Sequence, residues 1–516
     1  MEFTKEDLFQ IKNHGLDIRT IEDQIENFKK GFPAVHLCRA AKLKDGIRDF
    51  NEQQTQEFID YYDINKDKFD IVKFVPASGA ATRMMKDLYA FIKEYKDEEL
   101  TPIKNFSVAY PTIRSLHQFA FFDLFNQCLK KDDLSIEKLL IKKDYKTIIE
   151  YILMDKGLNY GKYPKAWILF HKFNNSSITS FEQHLQEAGD YANSGGKARL
   201  HFTITEEHKD GFSKLKDSLQ QVYQDKYNLK YDISFSYQAH STDTVAVDKN
   251  NNIIKDKECN IVFRPSGHGA LIDNLNNINA DIIFIKNIDN ISSIYKDETT
   301  IYKKMLGGVI INLKQKINTL TEQLYNQRTV IGIEKLEEYY KNIHDDLGFN
   351  EVKPFDEFKD KDKYYKYLFD FLNRPLRVCG MVKNTGEPGG GPFYIYNNNN
   401  DEQKDISLQI VEKAQINLKD DNQKQIFLSS SHFNPVDLVV CIKDFKGNKF
   451  DLHKFIDHKT GFISEKSFEG KTIKAMERPG LWNGSMSNWL TVFVQVPIET
   501  FNPVKVITDL LKPSHQ

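Results

Sequence analysis

Four short segments of the chain combine residue types that suit a phosphorylated ligand. The first is Pro76-Ala77-Ser78-Gly79-Ala80-Ala81-Thr82-Arg83. A loop of Ala, Ser and Gly between a strand and a helix lets backbone N–H groups approach an anion closely, and the helix N-terminus adds a favourable dipole. Arg83 supplies a guanidinium that can make paired hydrogen bonds to phosphate oxygens. GxxxxGK[ST] is absent throughout, so this is not a Walker loop. A tightly packed strand-to-helix turn is the competing reading. The second segment, Phe263-Arg264-Pro265-Ser266-Gly267-His268-Gly269-Ala270, sets His268 between two glycines. Gly267 and Gly269 allow close backbone approach to a flat base or a sugar, and His268 can hydrogen-bond a ligand as a neutral imidazole. A purely structural turn would look similar. The third is Ile282-Ile283-Phe284-Ile285-Lys286-Asn287-Ile288-Asp289-Asn290. It reads as an almost wholly apolar strand that delivers Asn287, Asp289 and Asn290 at its carboxyl end, where α/β sheets place their ligands. Asp289 could hold a Mg²⁺ that bridges phosphate oxygens, or could cap a turn. The fourth is Gly386-Glu387-Pro388-Gly389-Gly390-Gly391-Pro392. Its glycines suit a sugar or phosphate surface and equally suit a wide hairpin.

Those segments need elements to position them. Residues 1–70 read as helical, with Leu8, Ile11, Leu16, Ile18, Ile21, Ile25 and Phe28 at roughly helical spacing. The charged, tyrosine-bearing stretch from Asp60 to Asp70 reads as a solvated helix face. Ile71 to Val75 is a short β-rich run, after which Met84, Leu88, Phe91 and Ile92 restore helical spacing. Residues 95–155 read as a helical block. Strands are predicted at 198–205, 233–237, 244–247, 260–263 and 281–285, with helices near 207–226 and 269–276. A long helical stretch covers 300–345, and strands resume near 377–383, 394–396, 407–411 and 437–441. Asn397 to Asn400 is predicted to be a hairpin tip. Strands alternating with helices imply an α/β protein with a mainly parallel sheet covered on both faces.

The chain has 516 residues, a formal net charge of −2, 28% charged and 40% hydrophobic residues. This is a globular composition, and the near-zero charge argues against a general nucleic-acid surface while leaving room for a local basic pocket. The start shows no apolar signal core, and no run reaches the roughly 18 apolar residues of a membrane span. Five scattered cysteines without a CxxC pair suggest neither a zinc site nor a disulfide framework. The expectation is a cytoplasmic protein with no membrane and no nucleic-acid partner.

Taken in order, the segments resemble those of the UDP-sugar pyrophosphorylases, enzymes that join a sugar 1-phosphate to UTP. The first resembles the family's A-G-G-x-G-T-R loop, with Ser78 and Ala81 in place of two glycines. Gly161-Lys162-Tyr163-Pro164-Lys165 resembles G-x-x-P-K, which makes residues 86–157 a helical insertion between two halves of one signature. Phe235-Ser236-Tyr237-Gln238 resembles F-x-Q, the Gly267–Gly269 segment resembles P-P-G-H-G with Ser266 for the second proline, and Asn287 to Asn290 resembles N-x-D-N. His432-Phe433-Asn434 resembles an Asn/His-Phe segment near the sugar. Phe501-Asn502-Pro503-Val504-Lys505, followed by Asp509-Leu510-Leu511, resembles F-x-P-V-K…D-L-L.

The resemblance implies a glycosyltransferase-A-like mixed sheet with helices on both faces, a helical N-terminal region and a small C-terminal β-rich part. Its domains would be 1–70, a catalytic domain at 71–435, and a C-terminal part at 436–516 that closes the active site. It implies UTP and a sugar 1-phosphate as partners and Mg²⁺ as cofactor. Arg83, Lys165 and Lys505 would neutralise phosphate, and Asp289 would hold the metal. Ala77, Ser78, Gly79, Thr82, Gln238, Gly267, His268, Gly269 and Asn287 would shape the nucleotide site. The resemblance puts His432 and Asn434 near the sugar; Glu387 and Gly389 belong to the glycine run, which has no counterpart in the family and would mark a distinct sugar pocket. Two alternatives stay open. A glycosyltransferase would usually show a D-x-D motif, whose spacing Asp243 and Asp248 do not match. A non-catalytic nucleotide-sugar binder would accommodate the altered glycines at 78 and 81.

Overall fold

The apolar run at Ile71 forms the strand Ile71–Pro76, whose first five residues are all buried. The computed structural model describes residues 3–79, 81–173, 176–328, 330–386, 389–397 and 405–516. Contacts divide the chain into two interleaved units rather than into serial segments. The smaller unit takes residues 71–237, 286–304 and 497–516, and the larger takes 1–70, 238–285 and 305–496.

In the smaller unit, Ile71–Pro76 runs parallel to Lys197–Ile204, with Lys73 opposite Leu200. That strand in turn runs parallel to Lys230–Tyr237. The helices Ser180–Asp190 and Lys209–Tyr227 cover these strands. Phe181, Leu185, Phe212 and Tyr223 bury against Val75, Leu200, Phe202 and Ile233, each large apolar side chain contributing roughly 1.5–3 kcal/mol. Thr179 Oγ1 accepts from Glu182 N and fixes where the first helix starts. The helix predicted from Met84 to Ile92 is Thr82–Glu94, and the predicted block at 95–155 holds the helices Ala109–Arg114, Phe122–Lys131, Ile136–Ile141 and Tyr145–Leu153. Its core joins Met84, Leu88, Phe125 and Ile149 to Val504, Ile507 and Leu510 from the C-terminal segment.

In the larger unit, Leu376–Lys383 runs parallel to Leu490–Gln495 and antiparallel to Asp437–Cys441, so the sheet is mixed. Gly391–Tyr396 pairs antiparallel with Ile406–Val411, closing at Tyr396 opposite Ile406. The predicted tip at 397–400 lies mostly outside the described residues. The N-terminal helices Lys5–Asn13 and Ile18–Lys30 form as expected, and Ile11, Ile21, Ile25 and Phe28 bury against Val245, Val247 and Ile261.

Residues 1–70 are not all helical. Leu37–Ala40 is a strand on the Gly391–Tyr396 edge, and Gly46–Arg48 pairs parallel with Leu490–Gln495. Both partners lie hundreds of residues away, and local periodicity carries no trace of them. The stretch from Asp60 is not simply a solvated face either, because Tyr62 is fully buried, edge-on to Phe284. The pairs Leu169–Phe173 with Ser176–Thr179 and Phe462–Phe468 with Lys471–Glu477 are strands that the sequence reading did not assign. Among the described residues, no helix is long and apolar enough to cross a membrane.

Candidate active site

The phosphate-loop candidate closes the strand Ile71–Pro76. Ala77 N donates to Thr203 O at 2.9 Å and ends the ladder. Ala77 is buried, Ser78 half-buried and Gly79 exposed, and Ala80 lies outside the described residues. A Cβ on Gly79 would meet nothing within 4 Å, so the protein itself does not require glycine there. The helix Thr82–Glu94 then begins without a capping side chain and without an acidic residue in its first turn. Thr82 and Arg83 are both exposed there. A cation at a helix N-terminus opposes the dipole by roughly 0.3–1 kcal/mol. An anion seated on the loop would reverse that sign, so the arrangement favours anion binding.

A second cluster in the same unit draws together three distant parts of the sequence. Lys165 opens a short 3₁₀ turn after Pro164, and Ala81 N donates to the carbonyl of neighbouring Tyr163 at 3.3 Å. Lys165 Nζ lies 2.5 Å from Asp289 Oδ2 and 2.7 Å from Val504 O. The Phe501–Lys505 segment is laced to the Asn287–Asn290 segment. Asn290 bridges antiparallel to Pro503, Val504 N donates to Asp289 O at 3.2 Å, and Asn502 N donates to Asn290 Oδ1 at 2.7 Å. Asn287 is half-buried, and its carbonyl accepts from Asn290 N at 3.1 Å. Asp509 Oδ2 accepts from Lys505 N and Val506 N at 2.7 and 2.9 Å. Burial would raise the Asp509 carboxyl, but Lys512 and those two N–H groups hold it below its ordinary value. The Lys505 side chain is exposed, its ammonium 5.9 Å from the Phe501 ring centre. Asp289 Oδ1 makes no hydrogen bond among the described residues. One carboxylate oxygen plus ligand phosphates and water is an ordinary Mg²⁺ shell, so Asp289 fits that ion.

Beneath this cluster is a charged core that the sequence reading missed. Lys73 Nζ and Lys286 Nζ donate to opposite oxygens of Glu187 at 2.5 and 2.7 Å, and Tyr191 Oη donates at 2.8 Å. All of these residues are buried, as are His184 and Lys303. His184 Nε2 lies 3.2 Å from Ile288 O, which ties this core to the segment that carries Asp289. Burial pushes the Lys73 ammonium down to about 8, against the pull of Glu187. Burial would raise Glu187, yet Lys286, Lys73 and His184 hold it well below the carboxylate range. The available signal was a lysine inside each of two otherwise apolar strand runs, Ile71–Val75 and Ile282–Lys286.

The remaining predicted residues belong to the larger unit. Gly267 has φ +76°, and a Cβ there would come within 2.6 Å of Glu477 Oε2. A Cβ on Gly269 would sit 2.3 Å from Pro479 O. The close approach that these glycines permit is therefore to the unit's own 477–479 segment. His268 Nδ1 accepts from Leu481 N at 2.9 Å, its ring stacks on Trp482 at 4.1 Å, and Nε2 faces Glu412 Oε1 at 3.5 Å. A ring that accepts at Nδ1 carries its proton on Nε2 when neutral. Gln238 Nε2 lies 3.4 Å from Thr242 Oγ1 and 3.5 Å from Asp243 Oδ1. His14, His240 and Asp243 form a three-residue group that could hold a metal ion, with ligand atoms within 4.8 Å of one another.

At the carboxyl end of Leu376–Lys383, His432 is paired with Lys383, and its Nε2 lies 3.1 Å from Gln495 Oε1. Asn434 is buried, its backbone N donating to Gly390 O at 2.8 Å and its Oδ1 accepting from Val436 N at 3.0 Å. A Cβ on Gly389 would make ordinary contact with Phe433 at 3.7 Å. Gly389, His432 and Asn434 are thus neighbours, while Glu387 lies outside the described residues.

A family model described as a domain of unknown function, DUF4301, matches residues 4–516, and the chain belongs to that family. No curated protein matches it. Several solved structures are similar to it. UDP-glucose pyrophosphorylase from Leishmania major is 11% identical, with 99% of this chain and 79% of that chain covered and a TM-score of 0.41. The uridine diphosphate N-acetylglucosamine pyrophosphorylase from Trypanosoma brucei, in complex with an inhibitor, is 12% identical, with 97% and 77% covered and a TM-score of 0.47.

Proposed function

We propose that this member of the DUF4301 family is a sugar-1-phosphate nucleotidyltransferase, with UTP the favoured nucleotide. A sugar 1-phosphate oxygen attacks the α-phosphorus of the triphosphate, the bond from that phosphorus to the bridging oxygen breaks, and pyrophosphate leaves. The single observation that carries this reading is the Lys165–Asp289 pair laced to the Phe501–Lys505 segment. An ammonium has three hydrogens, and Asp289 and Val504 engage two of those on Lys165. The third is left for a phosphate oxygen. Arg83 and the uncapped helix start would hold the phosphates electrostatically, and Lys505 would add a mobile point charge. Such a reaction needs alignment and charge neutralisation more than covalent chemistry. Asp289 Oδ1 would hold Mg²⁺, which when bound neutralises phosphate charge.

The test is pyrophosphate release from UTP, Mg²⁺ and a panel of sugar 1-phosphates. Release dependent on one sugar is the expected result, and Lys165→Ala or Asp289→Ala should lower it by about 10²–10³. Activity unchanged in both variants would remove this assignment. A second reading, nucleotide-sugar binding without turnover, is favoured by Ser78 and Ala81 in the loop, where a Cβ replaces hydrogen. It predicts UDP-sugar binding by calorimetry with no pyrophosphate from any triphosphate and sugar 1-phosphate pair.

A further inference from the structure

The larger unit contains a cavity of about 650 Å³, inside the range of small-molecule sites, roughly 300–1,000 Å³. It lies at the opposite end of the strands from His432 and Asn434. The parallel strands Leu376–Lys383 and Leu490–Gln495 start level, Leu376 beside Leu490. Arg374, Trp489 and Leu490, at those starts, line the cavity. His432 pairs at Lys383, the other end of the eight-residue strand, about 23 Å along it from Leu376 at ~3.3 Å per residue. The Arg374, Trp489 and Leu490 wall of the cavity therefore lies at the opposite strand end from His432.

Several polar groups that line it have bonding capacity to spare. Arg374 donates from Nε to Asp370 O at 3.1 Å and lies over Phe371 at 5.2 Å. Its two terminal amino groups make no hydrogen bond among the described residues. Trp489 is only 4% exposed, and its indole N–H has no acceptor among the described residues. An unsatisfied buried donor destabilises its surroundings, and a bound acceptor would recover that loss. Glu351 also lines the cavity and forms no ion pair among the described residues. Burial pushes its carboxyl up to about 7, against the pull of its own backbone N–H and of Arg374.

The lining charges define the ligand class. Lys353, Arg374 and Lys459 face Asp405, Asp457 and a Glu351 about half ionised near pH 7, which leaves little net field to recruit a polyanion such as a nucleotide. What remains is a set of fixed donors and acceptors beside the aromatic faces of Phe358, Tyr367 and Trp489. A hydroxyl is both donor and acceptor, and a sugar ring also offers apolar C–H faces to aromatic rings. We propose that this cavity, at the Arg374 and Trp489 end of the strands, binds a neutral carbohydrate of one or two rings.

The test titrates the purified full chain with glucose, N-acetylglucosamine and maltose, read by calorimetry and by tryptophan fluorescence. The chain has three tryptophans, and Trp489 is the one in the cavity wall. At least one sugar should bind saturably with a fluorescence change that Trp489→Phe abolishes. Arg374→Gln should weaken that binding about tenfold, equal to ~1.4 kcal/mol, and should serve where the tryptophan variant does not fold. UTP and inorganic phosphate should not displace the sugar, and Lys165→Ala should leave its binding unchanged. That last arm separates this proposal from the nucleotidyltransferase reading. No saturable binding by any of the three sugars, displacement by UTP, or binding indifferent to Arg374→Gln would overturn it.

Discussion

Lys165 illustrates how much a residue's role depends on what its partners leave unused. Its ammonium is held between a carboxylate and a carbonyl, a geometry that orients the remaining N–H without a flexible search. Its sequence context, a lysine after a proline turn among 71 basic residues, indicated the residue type but not those partners. Gly269 shows the reverse case. Its sequence context suggested room for a ligand, but the room is taken by Pro479 O. Gly269→Ala should therefore destabilise the larger unit by about 1–3 kcal/mol through overpacking, seen as a lowered Tm in thermal denaturation. A variant as stable as the parent would mean that the 477–479 segment yields freely. His268 was legible as a chemically capable residue, but its hydrogen bond from Leu481 N was not. That partner lies more than two hundred residues along the chain.

At the scale of elements, the C-terminal turn is anchored by buried imidazoles. His171 Nε2 and His515 Nδ1 lie 2.8 Å apart, and the Gln183 side chain meets the other nitrogen of His171. Burial pushes His171 down to about 4 and His515 to about 3. The unfolded histidines take up protons below about pH 6.5, whereas the folded ones stay neutral. Their contribution is therefore complete above pH 6.5 and is lost as pH falls through about 4 for His171 and about 3 for His515. The full loss is on the order of 3–5 kcal/mol per histidine for shifts of this size. Thermal melts at pH 7.5 and 5.0 should show a drop in Tm that His515→Gln reduces. An equal drop in the variant would place the acid sensitivity elsewhere.

At the scale of the whole molecule, the chain passes between its two units several times, and residues 497–516 return to complete the smaller one. Val504, Ile507 and Leu510 are part of that unit's helical core. Removing residues 497–516 should expose that core, so limited proteolysis should cut the 82–153 helices faster while fragments of the larger unit persist. Uniform resistance would show that the C-terminal segment adds little.

What is local was legible in the residues themselves. Strand Ile71–Pro76, the helices at 82–153 and the loop chemistry around Gly79 follow from periodicity, small residues and a helix start, all of which act within a few residues. The order of the motifs was also written there, and with it the resemblance to a nucleotidyltransferase. Which charges meet depends on the folded chain. The joining of Lys165, Asp289 and Val504, the burial of Lys73, Lys286 and Lys303 around Glu187, and the strand at Leu37–Ala40 all depend on partners distant in the chain. The free energy of a buried ion pair or an added edge strand comes from desolvation and pairing across space. Neither leaves a periodic mark on the residues alongside it in sequence.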